Sequence, residues 1–177
     1  AEHIPRANRI YLVLTDEENT LQALATRFRS TTDTFTSLTS LKLNFLHMNI
    51  SMIKLARCLA PLTKLVEFEL FVLTDKIGQP LQDEEEEQIV PLGSVRLLSL
   101  HYDQAHSHEH FNHLFIPQIF PNLQAVALFN SGSVCALALC SECKTAALQP
   151  FRRCSKLHTI EFDDRIFPFD RGDNSLL

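Results

Sequence analysis

One apolar phrase recurs along the chain: an apolar residue, two others, a second apolar residue, two others, a third, one other, then a fourth. Its copies are Phe35, Leu38, Leu41, Leu43; Leu62, Leu65, Phe68, Leu70; Leu92, Val95, Leu98, Leu100; Phe120, Leu123, Val126, Leu128; and Cys154, Leu157, Ile160, Phe162. Measured at the third position, from 41 to 68, 98, 126 and 160, the steps are 27, 30, 28 and 34 residues. A degenerate first copy, Leu12 and Leu14, places Leu12 29 residues before Leu41. The last two positions alternate as a strand with one buried face requires. After the strands the spacing turns helical, with stripes Leu21, Leu24, Ala25, Phe28, then Ile53, Ala56, Leu59, Ala60, then Phe111, Leu114, Phe115, Ile119. Pro61, Pro91 and Pro121 stand just before three strand entries, where a ring that cannot continue a helix ends it.

A single strand–loop–helix unit cannot cover its own apolar face, so neighbouring units must stack. On these residues the chain resembles the leucine-rich-repeat family, in the long, irregular intracellular form of ribonuclease-inhibitor-like and F-box proteins. The resemblance covers roughly residues 9 to 165. It implies an α/β solenoid of about six repeats, with a curved parallel sheet on the concave side and helices on the convex side. The expected organisation is a single domain, 1–177, with repeats near 9–37, 38–64, 65–94, 95–122, 123–156 and 157–177. The family's usual Asn or Cys after the last strand leucine is replaced here by Glu17, Leu46, Leu73, Asp103, Ser131 and Arg165. That departure sides with the diverged F-box receptors, although no F-box segment is visible. The chain opens on Ala instead of Met, which reads as a processed chain or a fragment.

The resemblance places partners on the concave sheet, and the repeat register names the side chains there. The expected columns are Tyr11, Ser40, Glu67, Leu97, Ala125, Thr159; Val13, Lys42, Glu69, Ser99, Ala127, Glu161; and Thr15, Asn44, Phe71, His101, Phe129, Asp163. Phe71, His101 and Phe129, with Leu97 close by, should form an exposed aromatic stripe. Glu67, Glu69, Glu161 and Asp163 should make an acidic rim, with Lys42 the exception. The expected partner offers an apolar anchor with basic neighbours. Alanine at Phe71 and Phe129 is expected to remove capture and leave thermal unfolding unchanged.

Composition narrows the function class. A net charge of −5 gives no positive field to gather phosphates or anionic lipid, so neither nucleic acid nor membrane is an expected partner. No run approaches the roughly 20 apolar residues of a spanning helix. The odd count of 5 cysteines suits a reduced cytoplasmic or nuclear setting. Four glycines leave no phosphate-cradling loop, and no catalytic signature occurs, so neither enzyme activity nor a cofactor is expected.

Three tempting motifs have plainer readings. His101, His106, His108, His110 and His113 include helix spacings able to grip zinc, and a metal-dependent enzyme is the most distant alternative. The stretch nonetheless reads as a strand-to-helix loop, where polar residues are ordinary. Cys135, Cys140 and Cys143 have an iron–sulfur spacing but sit in a packed apolar stretch. Asp83 to Glu87 reads as a solvated acidic run, and Arg171-Gly172-Asp173 as a chance tripeptide. The sequence therefore predicts a protein-binding module. The resemblance makes it the substrate-recognition part of an F-box-like ubiquitin-ligase receptor, with cullin machinery held by a segment outside this sequence. The alternative is a regulator or inhibitor of an enzyme or GTPase.

Overall fold

The computed structural model describes residues 8–14, 17–30, 35, 37–45, 51–72, 88–102, 116–130, 148–162 and 165–168. In chain order the elements are β1 (Arg9–Leu14), α1 (Glu17–Ser30), β2 (Ser40–Phe45), α2 (Met52–Leu59), β3 (Glu67–Val72) and β4 (Leu97–Tyr102). After these come α3 (Ile116–Ile119), β5 (Ala125–Asn130), a 3-10 helix (Gln149–Arg153), β6 (Thr159–Phe162) and β7 (Arg165–Pro168). The strands form one sheet in sequence order. Strands β1 to β6 are parallel, while β7 turns back antiparallel on β6, a reversal the repeating phrase does not announce.

Each copy of the phrase builds the same turn. The carbonyl of its first residue accepts the N–H of its second, in Phe35–Leu38, Leu62–Leu65, Leu92–Val95, Phe120–Leu123 and Cys154–Leu157, at 3.0 to 3.3 Å. A second device joins unit to unit. The carbonyls of Asn8, Thr39, Val66, Arg96 and Gln124 each accept two successive N–H groups from the next unit's strand entry, at 2.8 to 3.3 Å. Backbone groups that a strand start would leave unmet are thus paired the same way five times.

Every residue of the five full copies is buried except the half-buried Phe35. In register, Leu41 pairs with Phe68, Phe68 with Leu98, Leu98 with Val126 and Val126 with Ile160. Leu43, Leu70, Leu100, Leu128 and Phe162 make a parallel row beside them. Full burial of each such side chain contributes about 1.5–3 kcal/mol, so these two rows dominate the cohesion of the sheet with its covering layer.

The helices supply that layer. In α1, Leu24 and Phe28 are buried while Leu21 and Ala25 are half-buried, the face the stripe predicts. In α2, Met52, Ile53, Leu55, Ala56, Cys58 and Leu59 are all buried, because α1 packs on one side and the sheet lies on another. Ser51 starts α2 by accepting the Lys54 N–H on its side chain at 3.2 Å, and Ala60 with Pro61 ends it. Ile119 of the third stripe is buried in α3, while Phe111, Leu114 and Phe115 lie outside the described residues.

One register differs from expectation. Ile10, not Leu12, pairs with Leu41, so β1 is displaced by two residues. A two-residue slip keeps every side chain on its face, so the apolar alternation of Ile10, Leu12 and Leu14 cannot distinguish the two alignments. The structure pairs all six β1 residues with β2, ending at Leu14 opposite Phe45.

Candidate protein-binding surface

The strand residues that do not enter the core share the opposite face of the sheet. With β1 corrected, its columns are Arg9, Ser40, Glu67, Leu97, Ala125, Thr159; then Tyr11, Lys42, Glu69, Ser99, Ala127, Glu161; then Val13, Asn44, Phe71, His101, Phe129. Tyr11 thus stands beside Lys42 instead of Ser40, and Val13 takes the place expected of Thr15. Thr15 and Asp163 lie outside the described residues.

The aromatic column is a stack. Phe71 and His101 lie with ring centres 3.8 Å apart and planes 10° from parallel, and His101 and Phe129 at 4.4 Å and 15°. Parallel pairing sets equal-phase residues roughly 4.8 Å apart, so a slight lean brings planar side chains into contact. The stack does not stop at Phe71. Lys42 Nζ lies 4.2 Å from the Phe71 ring centre and 5.4 Å from that of Tyr11, placing a cation between two rings. Five strands therefore contribute one continuous row: Tyr11, Lys42, Phe71, His101, Phe129.

Glu69 ties this row together. Lys42 Nζ donates to its Oε1 at 3.0 Å, and His101 Nε2 lies 2.9 Å from the same oxygen. Among the described residues Nε2 has no well-formed hydrogen bond, so the contact with Glu69 is chiefly electrostatic. Burial between the rings pushes the His101 pKa below its usual value, aided by Lys42, and outweighs the upward pull of Glu69. Asn44 Nδ2 donates to Tyr11 Oη at 3.3 Å, while Asn44 Oδ1 is buried without a donor.

The rim divides into engaged and unengaged charges. Glu69 is held by Lys42, whereas Glu67 meets Arg9 only at 4.0 Å, with both side chains well exposed, a geometry worth little. Glu161 has no ion-pair partner among the described residues. Apolar area is also open here, with Tyr11 54% exposed, Val13 48% and Leu97 39%, so this face presents apolar groups where the other buries them. Tyr11, Val13 and Asn44 stood in the columns read from sequence but not among the residues singled out for binding, and the β1 register sets Tyr11 beside Lys42 and Val13 beside Asn44.

A second apolar feature lies at the N-terminal end of the sheet. A cavity of about 430 Å³ opens between β1 and α1, lined by Ile10, Leu12, Leu14, Leu24, Phe28 and Phe35.

Of the histidine cluster only His101 is described, and it serves the stack. His106, His108, His110 and His113, the cysteines at 135, 140 and 143, the acidic run at 83–87 and the tripeptide at 171–173 lie outside the described residues. Cys58 and Cys154 lie in the buried interior, and burial pushes the Cys58 thiol up, away from the reactive thiolate. Among the described residues no three His, Cys, Asp or Glu side chains converge as metal ligands, and no helix is long and apolar enough to cross a membrane. No family model, curated protein or solved structure matches the chain.

Proposed function

We propose that this chain is a protein-interaction module, a leucine-rich-repeat solenoid that captures its partner on the open, concave face of the sheet. The observation that carries this reading is the row from Tyr11 to Phe129, an apolar and aromatic surface on the face turned away from the core. Rings locked by neighbours lose little conformational freedom when a partner covers them, so such a surface binds with a smaller ordering cost. The solenoid reading is supported by the five identical turns and by the sequential order of parallel strands.

The resemblance noted in the sequence narrows this to the substrate-recognition part of an F-box-like ubiquitin-ligase receptor. Its mechanism is binding alone: this segment selects the protein to be modified, and a module elsewhere in the polypeptide engages cullin machinery. The buried Cys58 thiol, outside any disulfide, agrees with a cytoplasmic or nuclear setting. The test is affinity capture with the full-length protein, beside variants carrying Phe71→Ala or Phe129→Ala. Recovery of a cullin scaffold by all forms, with one further protein lost from both variants, is the expected result. Loss of no protein from either variant overturns the docking face. Absence of the scaffold, with a face-dependent partner retained, favours a regulator or inhibitor of an enzyme or GTPase.

A further inference from the structure

The ring stack from Phe71 to Phe129 has two ends, and among the described residues only the Phe71 end is closed by a cation. At the first, Lys42 Nζ sits over Phe71 and is pinned by Glu69, so an ammonium, a ring face and a carboxylate form a complete unit. Lys42 stands on β2 directly opposite Glu69, which precedes Phe71 by two residues on β3. At the far end the same positions recur in mirror image. Glu161 stands on β6 directly opposite Ala127, which precedes Phe129 by two residues on β5. The place held by a lysine at one end is held by a glutamate at the other, and the place of Glu69 by a small alanine.

We infer that Phe129, Glu161 and the shallow floor of Ala125 and Ala127 receive a basic side chain from the partner segment docked on this face, arginine in preference to lysine. This inference rests on the docking reading proposed above and names the partner's chemistry. Among the described residues Phe129 makes ring contact with His101 and with no cation, and Glu161 has no ion-pair partner. A ring face is electron-rich and attracts a cation, while a carboxylate beside it fixes the cation's position. The row from Phe71 to Phe129 is built of nearly parallel planes, so a planar guanidinium extends it where a round ammonium only caps it. Arginine also offers a forked pair of donors to the carboxylate. Glu69 is already engaged by Lys42 and His101, which among the described residues leaves Glu161 as the carboxylate beside the Phe129 end of the stack. Leu97, 39% exposed and paired with Ala125, provides the apolar neighbour on which the stem of that side chain can lie.

The test is selection of random displayed peptides on the immobilised 177-residue chain, followed by titration of the selected peptides. Each peptide, and its counterpart with the basic residue changed to glutamine, is titrated against wild type, Glu161→Gln, Phe129→Ala and Phe71→Ala. Circular dichroism checks that every variant is folded. The expected peptides carry arginine, and its removal weakens binding about 3- to 10-fold on wild type but hardly at all on Glu161→Gln. Replacing arginine by lysine should recover part of that loss. Peptides that need Phe71 and Phe129 but carry no basic residue overturn the inference and leave the docking face standing. An equal penalty on wild type and on Glu161→Gln does the same. Peptides indifferent to both phenylalanines, or failure to select any, overturn the docking face and the inference with it.

Discussion

Removing the Phe71 ring tests the stack, because a freely exposed ring, a stacked ring and a core ring differ widely in what their loss costs. Phe71→Ala separates His101 from one of its two stacking partners and takes away the surface beneath Lys42 Nζ. A stacked aromatic pair contributes about 0.5–1.5 kcal/mol beyond its buried area. An exposed cation over a ring adds about 0.5–1 kcal/mol. The expected loss is therefore about 1–2.5 kcal/mol, or roughly 2–10 °C in Tm for a chain of this length. A solvent-facing reading of the ring, which is what the sequence alone supports, predicts no change. A core ring costs about 3–5 kcal/mol. The assay is urea and thermal unfolding of wild type, Phe71→Ala, His101→Ala and the double variant. The coupling energy of the cycle should be about 0.5–1.5 kcal/mol, and the cost of each single change includes other contacts that the cycle cancels. A coupling below about 0.3 kcal/mol, within the usual scatter of independent sites, refutes the stack. A loss for Phe71→Ala above about 3 kcal/mol places the ring in the core and refutes the face assignment.

Three further outcomes follow from the same geometry. Phe68 lies three residues before Phe71 on β3 but points inward, only 1% exposed and in contact with Phe120 at 6.2 Å, so Phe68→Ala should cost about 3–5 kcal/mol in urea unfolding. Ser51→Ala removes the acceptor of the Lys54 N–H at the start of α2 and should cost about 1 kcal/mol, with the urea slope unchanged. Because the folded His101 binds a proton less readily than the unfolded chain does, its contribution is complete above pH of about 6.5 and is lost as pH falls through the lowered folded value. His101→Phe keeps a planar ring but cannot titrate, so its unfolding free energy should fall less steeply than wild type on acidification. Parallel curves would show that attraction to Glu69 cancels burial, and a wild type that gains on the variant in acid that it outweighs it; either refutes the lowered value.

The sequence was legible where the phrase occupies positions whose neighbours are set by the backbone. Leu41, Phe68, Leu98, Val126 and Ile160 align as read because a strand with one buried side must show alternation, and each copy carries its own turn. The adjacency of Phe71, His101 and Phe129 follows from the same alignment, being one phase of three consecutive strands. The register of β1 was not legible, because Ile10, Leu12 and Leu14 offer three equivalent inward residues and no full copy of the phrase to anchor them. Nor was the role of Lys42. Counted by charge it interrupts an acidic rim, yet its ammonium lies between Tyr11 and Phe71 with Glu69 in reach, an arrangement that depends on the two-residue shift of β1. The reversal at β7 also has no signature in the apolar spacing, since Arg165–Pro168 pairs with β6 through the backbone.

On the proposed docking reading, the division between the two faces lets binding change without loss of the fold. Inward residues and the shared carbonyls of Asn8, Thr39, Val66, Arg96 and Gln124 hold unit to unit, and none of these carbonyls depends on the side chain that carries it. The outward positions are therefore free to take any residue a partner requires. Here they take planar and charged groups at one phase, from segments about thirty residues apart in sequence, and the sheet spacing brings them within stacking distance before any partner arrives. The ordering cost of that surface is met during folding, so affinity at this face should depend chiefly on how well a partner fits a row that is already in place. Substitutions at Phe71, His101 and Phe129 should then alter the strength of capture together with a modest change in stability, whereas a change at Glu161 should alter capture alone.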